Sequence, residues 1–355
     1  MTRGAKVTRV LIVDDSSLVR SILRAGFELD PDIEVVGEAR DPYEARDLLV
    51  QLRPDVITLD VEMPRMDGVT FLRKFMAVLP TPTIVFSSLT PRGGKLALEA
   101  LAAGAIDVVA KPSSGIAATL DSMLSDLRMR VKQAKGAHVA PLTAARAPAS
   151  DEPPTNLAQL SQTTDRVIGL GASTGGVAAL GRILPALPAS LPGVVVVQHM
   201  PAGFTREFAA RLDAQCQMRV VEADDGDRIL RGHVFVAPGG DRHLEVHRFG
   251  GEYRIRLVPG TAVSGHAPSV DVFFDSLALN VGRNAAACLL TGMGADGAAG
   301  LLKLRVHGGR TFAQNRETCV VWGMPAAAEA LGAVQNCIAL DAIPAALAEW
   351  AEANS

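Results

Sequence analysis

The 355-residue chain carries a formal charge of −3, with 48% hydrophobic and 21% charged residues, the profile of a soluble globular protein rather than a disordered one. That length accommodates two domains, each with its own core. The charge balance and the lack of a Lys/Arg run argue against a nucleic-acid partner. No segment approaches the roughly 20 apolar residues that span a bilayer. The opening MTRGAKVTRVLIVDD runs straight into a strand-like segment and lacks the apolar stretch of a signal peptide. Cys216, Cys288, Cys319 and Cys337 are scattered without a C-x-x-C pair, so neither a zinc site nor a disulfide framework is expected. A cytoplasmic protein without membrane insertion is predicted.

From residue 9 to about 134, short β-branched runs alternate with amphipathic stretches. The runs are VLIVDD (10–15), IEVVGEA (33–39), DVITLD (55–60), TIVFSS (83–88) and AIDVVAKP (105–112). Between them, SLVRSILRAGF and PYEARDLLVQL space apolar residues three and four apart, as helices do. Five strand–helix repeats predict a (βα)5 doubly wound parallel sheet spanning 1–131. Residues 132–162 are rich in Ala, Pro, Ser and Thr and lack apolar periodicity, which is linker composition. A second α/β domain, 163–355, opens on RVIGLG. VVVVQHM (194–200), HVFVAP (233–238), a hairpin over 243–258 and AACLLTGMG (286–294) follow. A mostly parallel, Rossmann-like sheet with an antiparallel hairpin is expected.

In the first domain, Asp14 and Asp15 end the first strand, Asp60 the third, Ser87 lies at the end of the fourth, and Lys111 ends the fifth. The C-terminal edge of an open parallel sheet is where ligands bind, so these groups can converge. Clustered carboxylates suit a hard cation such as Mg²⁺, and a lysine can neutralise phosphoryl charge. Singly, each residue is better explained as a strand stop or helix cap. Together, with MPRMDG after Asp60 and SSLT after the fourth strand, they resemble a response-regulator receiver domain over roughly 8–130. The resemblance implies that Asp60 accepts the phosphoryl group. It further implies that Asp15, Asp60 and the Glu62 carbonyl bind Mg²⁺ with help from Asp14, while Ser87 and Lys111 contact the phosphoryl oxygens. Val108 occupies the position where many receivers carry an aromatic switch.

In the second domain, GLGASTGG (169–176) lacks a G-x-G-x-x-G pattern but contains G-x-S-x-G around Ser173. It reads as a phosphate cradle, a tight turn, or a turn that exposes a nucleophile. His199 follows the VVVVQ strand and Asp296 follows LLTGMG, so three strand ends can join a hydroxyl, an imidazole and a carboxylate. Alternatively, Asp296 is only a helix cap and His199 only a loop histidine. The other six histidines lack a comparable setting, although His266 lies in a possible substrate loop.

The strings GASTGG, QHMPAGFTREFAARL, EADDGDRI, GHVFVAPGG, HAPSVDVFF, LLTGMGADGAAGL and VVWGMPAAA occur in that order across 165–330. Together they resemble the catalytic domain of the chemotaxis protein-glutamate methylesterases. That resemblance implies Ser173 as nucleophile, His199 as general base and acid, and Asp296 as the orienting acid. It also implies the Met293 backbone N–H as oxyanion donor and Thr174 as a supporting partner. Asn315 stands where an acid is usual, and Ala267 where an arginine is common. The implied reaction is hydrolysis of glutamate methyl esters, and deamidation of glutamines, on the cytoplasmic domains of chemoreceptors. The resemblance further implies an esterase that needs no cofactor, Mg²⁺ serving the receiver and a chemotaxis histidine kinase as phosphodonor, and a monomer is expected.

Overall fold

The computed structural model describes residues 7–63, 66–88, 90–111, 117–139 and 165–353. The chain divides into two compact units, residues 1–144 and 145–355. Most of the linker read from composition lies outside the described residues.

The first unit alternates β1 (Thr8–Val13), α1 (Ser17–Glu28), β2 (Ile33–Ala39), α2 (Pro42–Leu52), β3 (Val56–Asp60), α3 (Gly68–Met76), β4 (Thr83–Ser87), α4 (Pro91–Ala102), β5 (Asp107–Ala110) and α5 (Ala117–Ala134). Its five strands run parallel in the order β2-β1-β3-β4-β5. β1, β3, β4 and β5 are buried on both faces, which is why they read as continuous apolar segments, whereas edge strand β2 is largely half-buried. Asp41, Asp67 and Thr90 cap α2, α3 and α4, each accepting an N–H of the first turn. Helix α5 extends into residues 132–134, where composition had suggested linker, and Arg130 ties it to β5 through Asp107 at 2.7 Å.

The second unit comprises β6 (Val167–Ala172), α6 (Gly176–Ile183), β7 (Gly193–Gln198), α7 (Phe204–Asp213), β8 (Arg219–Glu222), β9 (His233–Val236), β10 (Arg242–Phe249), β11 (Glu252–Pro259), α8 (Val270–Asn280), β12 (Ala285–Leu289), α9 (Ala298–Val306), β13 (Arg310–Gln314), α10 (Met324–Ala330), β14 (Asn336–Ile338) and α11 (Ile343–Glu352). Seven parallel strands form the sheet β14-β13-β12-β6-β7-β9-β8, and β10 and β11 form a separate antiparallel hairpin. The hairpin's Leu244, Val246 and Ile255 belong to the same core as Phe273, Phe274 and Leu277 of α8. Both units are α/β, as the sequence patterning predicts. Strands β8, β13 and β14 and helices α10 and α11 are additions to the elements read from sequence. They are three to ten residues long and lie mostly toward the sheet margins.

Strand order reverses around β1 in the first sheet and around β6 in the second. The crevice beyond the C-terminal ends of strands at such a reversal is the natural ligand position in an open α/β sheet. Among the described residues, no helix is long and apolar enough to cross a membrane.

Candidate active site and acidic cluster

In the first unit, Asp14 and Asp15 follow β1 and Asp60 ends the neighbouring β3, and carboxylate oxygens of all three lie within 4.8 Å of one another. Asp14 and Asp60 are buried, whereas Asp15 is exposed. Lys111, just beyond β5, places Nζ 2.9 Å from Asp14 and 2.8 Å from Asp60. Burial raises the Asp14 carboxyl above the ordinary carboxylate range; the Lys111 ammonium opposes this and the Asp60 charge adds to it. Burial also works against the Lys111 charge, but hydrogen bonding and attraction to Asp60 and Asp14 outweigh it and leave the ammonium harder to deprotonate than usual. An all-oxygen, acid-rich set with no competing thiol or imidazole fits a hard divalent cation such as Mg²⁺. Asp60 Oδ1 accepts the Glu62 N–H at 2.9 Å. Ser87 is fully buried and its hydroxyl donates to the Gly93 carbonyl at 3.0 Å, so contact with a phosphoryl group requires that hydroxyl to turn. The Glu62 carboxylate instead accepts from Ser88.

In the second unit, the site is built on the three central strands. Ala172 is paired with Gln198, and the ladder continues as His199 N–H donates to the Ala172 carbonyl at 3.1 Å. On the other flank, Ser173 N–H donates to Thr291 beyond β12 at 3.1 Å. Ser173 therefore lies between the β7 and β12 ends, and it and His199 share a register step, one residue past Ala172 and Gln198, whose side chains leave the opposite face. The chain then turns sharply into α6 through Gly175 at φ 79°, a conformation glycine supplies without steric penalty.

His199 Nε2 lies 2.8 Å from Asp296 Oδ2, with both side chains buried. The Asp296 carboxylate is gripped at the start of α8: Oδ1 accepts from the Ser269 hydroxyl at 2.7 Å and Asp271 N–H at 3.0 Å, and Oδ2 also accepts Val270 N–H at 2.8 Å. Burial works against its charge, but the His199 hydrogen bond and charge, with Ser269 and Val270, hold the carboxyl down at about 2. His199 Nδ1 is buried with no hydrogen-bond partner among the described residues. The structure thus joins Asp296 to His199, seats Ser173 beside them, and leaves the serine hydroxyl unbonded to the ring. Ser173 is 6% exposed, more enclosed than a serine displayed on a turn.

The loop after β12 packs directly on the serine. A Cβ on Gly292 would lie 2.8 Å from the Ser173 Cβ and 2.2 Å from the Met324 sulfur, so only glycine fits between them. Among the described residues no acceptor takes the adjacent Met293 N–H. The Thr174 carbonyl accepts the Thr291 hydroxyl at 3.0 Å, which ties the serine turn to that loop. Burial pushes the Cys216 and Cys319 thiols up to about 12, so neither is a ready nucleophile near neutral pH.

Two further residues belong to the site. Gln198 donates from Nε2 to the Ser173 carbonyl at 2.9 Å and to the His199 carbonyl at 3.0 Å, clamping the two strand ends. His266 stacks on His199 with ring centroids 3.6 Å apart and planes at 15°. Sequence flagged the His266 loop but not the stack, and nothing about a strand-ending Gln signals a clamp. A separate cavity of about 950 Å³, lined by Arg166, Arg283, Arg310 and Trp350 among others, shares no residue with this site and lies by the opposite, N-terminal edge of the sheet.

The fold and the two strand-end sites define the class, a response-regulator receiver joined to a hydrolase domain built on a parallel sheet. Comparisons agree on both halves: the response regulator receiver domain family matches residues 10–120 and the CheB methylesterase family matches residues 168–347. The chain is 52% identical to a protein-glutamate methylesterase/protein-glutamine glutaminase of Syntrophotalea carbinolica over 95% of this chain and 96% of that one. A Pseudomonas aeruginosa protein of the same description is also 52% identical, over 96% of each chain. The crystal structure of the Thermotoga maritima CheB methylesterase catalytic domain superposes with a TM-score of 0.51 at 38% identity, covering 52% of this chain and 97% of that one. The chain belongs to the CheB family of protein-glutamate methylesterases/protein-glutamine glutaminases, hydrolases that carry a receiver domain.

Proposed function

We propose that this protein removes methyl groups from glutamyl methyl esters on the cytoplasmic domains of chemoreceptors, and deamidates receptor glutamines, under control of receiver phosphorylation by a chemotaxis histidine kinase. The observation that carries the reading is the buried His199–Asp296 pair seated beside Ser173 at the β6 reversal point. Because Asp296 engages Nε2, the unpartnered Nδ1 is the nitrogen that accepts the serine proton.

Ser173 Oγ attacks the ester carbonyl as its proton passes to His199. Asp296, ionised and saturated with donors, stabilises the resulting imidazolium. The Met293 N–H, lacking an acceptor of its own, stabilises the oxyanion. Thr174 supports the turn through its carbonyl. Collapse of the tetrahedral adduct breaks the C–O bond, and the leaving methoxide takes the proton from His199 as methanol. Water then attacks the acyl-serine with His199 again as base, releasing glutamate and restoring the serine. With a glutamine substrate the leaving group is ammonia and the second half is unchanged.

At the other site, Asp60 is the phosphoacceptor, with Lys111 and a reoriented Ser87 contacting the phosphoryl group. Asp14, Asp15, Asp60 and the Glu62 carbonyl would hold Mg²⁺, which supplies charge neutralisation when bound. Methanol release from methylated receptor by wild-type and Ser173→Ala protein tests the esterase reading. Loss of at least about 10³-fold is expected, and equal release would remove Ser173 from the mechanism.

A further inference from the structure

His243 is a buried histidine with no part in the reaction above. It lies on β10, on the side opposite the core residues Leu244 and Val246, where an exposed polar residue would be ordinary. Instead it is enclosed and seated over Gly260, where an added Cβ would come within 2.7 Å of the imidazole. Both ring nitrogens are engaged. Nε2 lies 3.0 Å from the Thr261 carbonyl, which can only accept, so Nε2 carries the proton. Nδ1 therefore accepts the Ser269 N–H at 3.1 Å. The ring is held as one neutral tautomer, and it pins both ends of the segment 261–269.

That segment serves the candidate triad twice. His266 within it stacks on His199, and Ser269 at its end gives its hydroxyl to Asp296. Ser269 also caps α8, whose next two N–H groups complete the Asp296 cradle. Moving Ser269 by a fraction of an ångström would alter three of the four hydrogen bonds that orient the carboxylate toward His199. Preorganisation of this kind is set by the shell behind the reacting groups.

We propose that His243 is a positioning residue of the ester-cleaving site, locking Thr261 and Ser269 so that Asp296 holds His199 for proton transfer. This rests on the esterase reading of Ser173, His199 and Asp296. His243→Leu removes the acceptor and the donor while keeping bulk; His243→Asn restores an oxygen near the Nδ1 position. The full-length His243→Leu protein is expected to lose kcat about tenfold, the scale of one lost hydrogen bond, with KM for methylated receptor within about twofold. His243→Asn should recover part of that loss.

A second readout is the low-field proton NMR resonance of the His199–Asp296 hydrogen bond, expected to shift or broaden in His243→Leu and return toward its place in His243→Asn. Wild-type kcat in His243→Leu would overturn the proposal, and so would a loss of kcat with the resonance unmoved. The parent reading fails separately, if Ser173→Ala keeps its activity. The resonance still reports the grip of His243 on the pair in that case, because it requires no turnover.

Discussion

A carboxylate surrounded by donors behaves differently from an exposed one, and Asp296 is the clearest case. Each of its oxygens accepts two hydrogen bonds, and the ion is worth more to the folded state than the acid. Its folded-state value, about 2, lies below the ordinary 3.8. The stabilisation is therefore fully present above the ordinary value and is lost as pH falls through about 2. The shift corresponds to something on the order of 2 kcal/mol. Asp296→Asn should melt at lower temperature than wild type near neutral pH, with the gap closing from about pH 4 downward. Calorimetry of both proteins across that range checks it; a gap independent of pH would mean that the charge is not what the cradle stabilises. No acid limb of the rate profile between about pH 4 and 7 should come from this carboxylate.

Strand ends hold the candidate sites in both units, and at this scale the sequence was most readable. Apolar runs marked the β-strands because parallel strands are buried on both faces, and the polar residues that interrupt them fell where ligand edges form. Asp14, Asp15, Asp60, Ser173 and His199 all stand at or just beyond strand ends. What this pattern missed depends on pairing between distant segments. Gln198 matters because it spans β6 and β7, and His243 because a loop folds over the polar side of β10. The Ser87 hydroxyl turns to Gly93 rather than toward the acids, a side-chain choice that strand periodicity does not encode.

The acidic cluster yields a prediction at the same scale. Burial and the neighbouring Asp60 charge raise the Asp14 carboxyl, so its ionised form costs stability at every pH above the ordinary carboxylate value. Lys111 offsets part of that cost and keeps Asp60 as a partner if Asp14 is neutralised. Asp14→Asn should therefore raise the melting temperature of the first unit at neutral pH in metal-free buffer. Mg²⁺ should raise the wild-type midpoint, and raise that of Asp14→Asn less. Thermal unfolding with and without Mg²⁺ decides the matter. An unchanged or lower midpoint for metal-free Asp14→Asn would show that the ion pair with Lys111 outweighs the crowding of charge.

At the scale of the whole molecule, a receiver unit with its acidic cluster and a methylesterase unit with its candidate Ser173 site share one chain, on different strand ends of separate sheets. Composition predicts a linker over 132–162, and α5 carries regular structure to Ala134, into the first residues of that span. Val108 is buried in β5 where many receivers place an aromatic relay, so a phosphoryl group on Asp60 would need another route out of the first unit, such as the Ser87 hydroxyl and the start of α4. If the unphosphorylated receiver restrains the esterase, two variants act in opposite directions. Asp60→Asn, which leaves Ser173 and its partners untouched, should keep the basal rate of methanol release and lose its stimulation by a small-molecule phosphodonor. Removing residues 1–150 should raise the unstimulated rate, since the restraint goes with the receiver. Measured side by side on methylated receptor, a truncated form no faster than the full chain would sink the restraint. Stimulation that survives in Asp60→Asn would move phosphate acceptance to another residue. Both outcomes as expected would identify the first unit as a brake on the esterase that is released at Asp60.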